Sequence, residues 1–174
     1  MSALRLINET EITSTVSSID IENVFSENFR NYLIVLDGVQ ESSSGNQQWV
    51  RLRYINSNGS VVTSSNYSYA QRRIKNDDTA FAEERGTGQD NLLYQGLGYS
   101  DDDGTNSSLY VLDPFLSSYT FSIGQGTYFN GTVLGGVKGF GIFKDNISMT
   151  GFRLYQSSGN LGSGFIRTYG IRLD

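Results

Sequence analysis

The 174-residue chain contains no cysteine and no histidine. Without cysteine there is no disulfide, no thiolate nucleophile and no thiolate metal ligand. Without histidine the commonest general base and the commonest metal ligand are both missing. Zinc sites and Ser–His or Cys–His nucleophiles are thereby excluded, leaving carboxylates, lysine, tyrosine and hydroxyls for any chemistry. No cofactor is expected. Proline occurs once, at Pro114, where a strand end tolerates the lost N–H. Charged residues are only 18% of the chain, below the usual quarter, and the net charge of −5 argues against a phosphate-neutralising nucleic-acid binder. No apolar run approaches the roughly 20 residues that span a bilayer, and Met1–Thr10 has no basic segment leading into an apolar core. The expectation is a soluble chain without membrane insertion.

Glycine (20 residues), aromatics (13%) and turn formers take the place of charge, which reads as an all-β protein and not as disorder. The length is that of one domain, and such a domain buries about 70% of its unfolded surface, so no staple is needed. Alternation marks strands at Ala3–Asn8, Glu11–Val16, Ser18–Val24, Gln48–Asn56, Tyr67–Lys75, Leu92–Tyr99, Leu109–Phe115, Tyr119–Gly124, Tyr128–Leu134 and Val137–Lys144. Tyr32–Val39, a nearly continuous apolar run, suits a central strand buried on both faces. Phe25–Arg30, with Phe25 and Phe29 four apart, suits a single helical turn. Asn58-Gly59 suits a type I′ hairpin turn leading into Val61–Thr63. Asn76–Gly88 reads as a polar excursion. Met149–Gln156 and Phe165–Leu173 flank a Gly/Ser-rich loop in the pattern of an antiparallel strand pair. So many short strands are too many for one open sheet. The expected fold is a single two-sheet antiparallel β-sandwich, jelly-roll-like, over 18–174, with a short strand extension over 1–17 as an assembly arm.

Each candidate site has a plainer structural reading beside it. Asp101, Asp102 and Asp103, followed by Gly104, could offer oxygen ligands to calcium, but the EF-hand spacing is absent and a solvated acidic loop tip is favoured. Glycoside hydrolysis needs two carboxylates across a cleft, and Asp77, Asp78, Glu83, Glu84 and Asp90 lie in one polar segment that singles out no pair. Gly135, Gly136, Gly139 and Gly141 lack the ending of a phosphate loop and suggest a bent strand or bulge. Alternation puts Trp49, Arg51 and Arg53 on one face and Val50, Leu52 and Tyr54 on the other. If the first set faces out, it has the composition of an interaction surface; with the faces swapped, Trp49 is core.

The last 26 residues also resemble the closing hairpin of small virion proteins of tailed bacteriophages. Arg153-Leu154-Tyr155, Ser157-Ser158-Gly159-Asn160 and Tyr169-Gly170-Ile171 carry the likeness. Ala3-Leu4-Arg5-Leu6-Ile7-Asn8, leading into Glu11–Ile19, is similar to the opening of proteins from phages of marine bacteria. The resemblance implies a non-enzymatic structural protein on the outer surface of a phage particle. A capsid decoration or cement subunit is the first expectation, and a tail-fibre, tail-appendage or receptor-binding module for host surface saccharide is the alternative. The expected partners are further copies of the chain, with a trimer among the natural stoichiometries, and other virion proteins. The strand arm is expected to pair with a neighbour's sheet edge.

Overall fold

The computed structural model describes residues 4–42, 48–96, 104–129 and 131–172. Twelve strands run through them: β1 (Leu4–Ile12), β2 (Ser18–Ile21), β3 (Asn31–Glu41), β4 (Trp49–Asn56), β5 (Tyr67–Lys75), β6 (Asp78–Gln89), β7 (Leu92–Gly96), β8 (Thr105–Leu112), β9 (Thr120–Phe129), β10 (Leu134–Phe143), β11 (Met149–Gln156) and β12 (Leu161–Ile171). There is no helix among the described residues. The strands form two antiparallel sheets, one ordered β1-β12-β3-β8-β9-β10-β5-β6 and one ordered β2-β11-β4-β7. The fold is the all-β two-sheet sandwich expected from the alternation.

The path through the sheets is regular. Strands β1 to β4 alternate between the large and small sheets, and β7, β8, β11 and β12 do the same. Two hairpins, β5–β6 and β9–β10, stay in the large sheet and widen it to eight strands. Between the sheets lies one core, in which Val50, Leu52 and Tyr54 of β4 join Tyr32, Ile34 and Leu36 of β3. All six are at most 1% exposed, and full burial of such side chains stabilises by about 1.5–3 kcal/mol each. Two of the buried tyrosine hydroxyls tie loops to strands. Tyr67 accepts a hydrogen bond from the Tyr54 amide and donates one to the Val62 carbonyl, both at 3.0 Å. Tyr32 does the same at Ser26, accepting at 2.7 Å and donating at 2.8 Å.

Several local expectations change. Met149–Gln156 is strand β11 as expected, but it lies in the small sheet while β12 lies in the large one, so the two do not pair as a hairpin. Alternation marks strands and faces; it does not say which sheet a strand joins. The two N-terminal segments are one strand with an irregularity between Leu6 and Asn8. That strand pairs along its length with β12 of its own chain, and Ile12 enters the core. Phe25–Arg30 forms turns, not a helix, because Phe25 is drawn onto Tyr32 and Phe152, with ring centroids 4.7 and 5.9 Å away. Strand β3 buries one face deeply and leaves the other half-covered. At Asn56–Gly59 only Gly59 has positive φ (+75°), so the turn is not type I′. The Asn56 side chain accepts from the amides of Asn58 and Ser60, and Val61 makes only an isolated bridge. The polar excursion is in fact strand β6.

Candidate interaction surface

The outer face of the small sheet holds Trp49, Arg51 and Arg53, with Val50, Leu52 and Tyr54 turned inward. The outward set is half-buried and tied to neighbours. Arg53 is paired with the Asp90 carboxylate, donates to the Asp90 carbonyl at 3.0 Å, and lies 4.8 Å from the centre of the Tyr155 ring. Its register partner Arg153 donates twice to Asp20, at 2.5 and 2.6 Å. Two adjacent guanidiniums are thus each matched by their own carboxylate. Burial opposes ionisation of Asp90, yet the hydrogen bonds and charge supplied by Asn91 and Arg53 outweigh it and hold the carboxyl below its usual range. The Arg73 guanidinium lies 5.4 Å over the Trp49 ring.

The carboxylates weighed for hydrolysis are dispersed. Glu83 pairs with Arg72 across β5–β6 at 3.8 Å, whereas Glu84 turns to the other face of β6 and accepts from Gln71 at 3.1 Å. Neighbours on opposite faces of one strand cannot work on one bond. Asp78 caps its own turn by accepting from the Ala80 amide. Asp101, Asp102 and Asp103 lie outside the described residues. Among the described residues no group of three or more acidic side chains gathers as a metal site.

A contiguous exposed apolar surface lies elsewhere, on the outer face of the large sheet. Register links Leu6, Tyr169, Leu33, Tyr110, Ile123 and Phe140 into one row across six adjacent strands. The next row along the strands includes Leu112, Phe121 and Ile142. On the other side runs a polar row with Glu9, Arg167, Lys138, Arg72 and Glu83. Phe140 is 67% exposed, Phe121 50% and Ile123 48%, although all three stand within regular strands.

The two inserted hairpins build most of this face, and their patterning is inverted. In β9 the large apolar residues Phe121 and Ile123 point out, while Thr120 and Ser122 are 0% and 3% exposed. In β10 Phe140 points out between Gly139 and Gly141. The inner side explains the choice. A Cβ on Gly139 would come within 2.6 Å of Gln71, and one on Gly141 within 2.7 Å of Leu92. At these positions the inner side admits only small residues, so Phe121, Ile123 and Phe140 are turned outward, while Tyr128 and Phe143 nearer the strand ends are buried. Isolated apolar residues at a surface are ordinary, but contiguous ones mark an interaction site. Sequence reading missed the face because it assigns the apolar half of each alternating strand to the core. The available signal was the run of Gly, Ser and Thr at the opposite phase.

No family model matches the sequence, and no curated protein is similar to it.

Proposed function

We propose that this chain is a non-enzymatic structural protein of the outer surface of a bacteriophage capsid, built as an elaborated jelly roll and assembling through the apolar face of its large sheet. The exposed face built by inserted strands carries this reading. The four extra strands lend Tyr67 and Phe143 to the core, but they also turn Phe121, Ile123, Phe140 and Phe81 outward; an isolated domain gains nothing from these four, whereas an assembling subunit gains a docking platform.

Connectivity supports the setting. With the two hairpins set aside, the orders β1-β12-β3-β8 and β2-β11-β4-β7 are two four-stranded sheets linked by strands that alternate between them. This alternation supports the jelly-roll reading, an architecture used by viral capsid and lectin domains. The resemblance of the C-terminal segment to virion proteins points the same way. A receptor-binding role for host saccharide is the second reading, because Tyr169, Tyr110 and Phe140 stand in one row on alternate strands, about 10 Å apart, and their rings could stack on sugars.

Mass spectrometry and immuno-electron microscopy of purified particles test the first reading. The expected result is stoichiometric labelling over the capsid. Label confined to the tail, with binding to host glycans, would favour the second, and absence from particles would overturn both.

A further inference from the structure

We propose that the outer face of the large sheet, with β8, β9 and β10 at its middle, is the interface of a two-fold dimer of this chain, with the axis running across the strands between the Ile123 row and the Phe121 row. The inference rests on the structural role proposed above and names what covers the apolar face: a second copy.

Shape is the first argument. Ile123 and Phe140 form a ridge between two hollows. One, of about 520 Å³, is floored by small residues including Ser68 and Ala70, and the other, of about 840 Å³, by Ser108, Gly126 and Gly136. A ridge beside a hollow is self-complementary under a two-fold rotation, which sets each ridge in the partner's hollow. Area is the second. Eight strands about 4.8 Å apart and about 20 Å of strand length give a face of roughly 700 Å². That is the scale of the about 800 Å² per partner buried in a standard interface. Two sheets stacked about 10 Å apart are also a common packing mode.

Charge selects the axis. An axis parallel to the strands and midway across the sheet, between β8 and β9, would set the strand order against its reverse, placing Arg167 of β12 opposite Arg72 of β5 and Glu9 of β1 opposite Glu83 of β6. Like charges would then face each other in the interface, which opposes association. An axis across the strands, midway between the two apolar rows, stacks each strand on its own copy. Phe121 then meets Ile123, Leu112 meets Tyr110, and Phe140 enters the hollow beside Ile142 and Ser68. The charged row stays at the rim, in water.

Sedimentation equilibrium of the full chain, over about two decades of concentration around a micromolar Kd, should show a monomer–dimer equilibrium. Phe140→Glu should shift the dissociation constant upward by at least about a hundredfold, about 2.7 kcal/mol, with an unchanged circular dichroism spectrum and melting temperature. A wild-type chain that stays monomeric, or a folded Phe140→Glu variant that still dimerises, overturns the proposal. The cysteine-free sequence permits a test of the axis. A mixture of Phe121→Cys and Ile123→Cys chains should oxidise to a cross-linked heterodimer faster than either chain alone. Preferential cross-linking in a mixture of Leu112→Cys and Phe121→Cys chains would overturn the axis. A chain that is monomeric in isolation but present in particles would sink the dimer alone, and a dimer absent from particles would sink the virion role alone.

Discussion

At the scale of single residues, buried polar groups and glycines hold the sandwich in register. Tyr67 is fully buried, and its hydroxyl joins the Tyr54 amide to the Val62 carbonyl. Tyr67→Phe keeps the ring but strands those two groups, at a cost of about 1–3 kcal/mol. The expected fall in melting temperature is about 3–10 °C for a chain of this size, read by thermal denaturation; an unchanged midpoint would show that the hydroxyl is dispensable. Two glycines separate conformation from space. Gly59 has φ +75° and a Cβ added to it would meet nothing within 4 Å, so Gly59→Ala should cost about 1–2 kcal/mol of left-handed backbone strain. Gly151 has ordinary φ, but a Cβ there would sit 2.3 Å from the Ile21 carbonyl oxygen of β2. Gly151→Ala must therefore push a paired strand aside and should be the more damaging of the two by chemical denaturation. Residue faces were legible in β4, where alternation separates Val50, Leu52 and Tyr54 from Trp49, Arg51 and Arg53. They were not legible in β9, where packing room and not hydrophobicity decides which side chains turn inward.

At the scale of strands, legibility follows burial. Strand β5 and strand β11 coincide with their sequence-read spans because half of each faces the core. Strand β6 escaped notice because it is the outermost strand and both its faces meet water, which removes the alternation that marks a strand. What makes it a strand is pairing with β5, a tertiary fact. Strand β1 shows the reverse: its existence was legible, its partner was not. It is fastened to β12 along its length, and Arg167 donates to Glu9 on β1 at 2.5 Å and also to Asp37 on β3. Ile12 is 4% exposed, and Ile7 and Val16 pack against the core. Removing residues 1–16 should lower the melting temperature and, by baring the β12 edge, promote aggregation visible by light scattering. A truncated chain that melts as the full chain does and stays dispersed would mean that the segment is an independent arm. Arg167→Ala should loosen the same seam, read as faster amide exchange across Leu4–Ile12 with little change elsewhere.

At the scale of the whole molecule, the absence of histidine and cysteine also shapes the response to pH. With no histidine, no side chain with an ordinary pKa near neutrality titrates, and stability should form a plateau across about pH 6–9. The acid limb reflects opposing groups. Asp90 is held below its usual range, so its contribution is present above the unfolded value of 3.8 and is lost as pH falls through its folded value. Glu41, 3% exposed at the end of β3, is pushed up by burial, so its ionisation in the folded state works against stability and acidification relieves it. Glu41→Gln should therefore stabilise the protein at neutral pH and steepen its loss of stability in acid. The alkaline limb belongs to tyrosine. Burial raises Tyr54, Tyr67, Tyr69 and Tyr155 above the ordinary value of 10.0. The unfolded chain then releases these protons before the folded one does, so stability is full below pH 10 and falls as pH rises past it. Melting temperatures measured across the pH range should show a flat neutral region and a steep alkaline decline. Tyr67→Phe should make that decline shallower. A decline that begins near pH 8, or one unaffected by the variant, would show that the buried tyrosines do not set the alkaline limit.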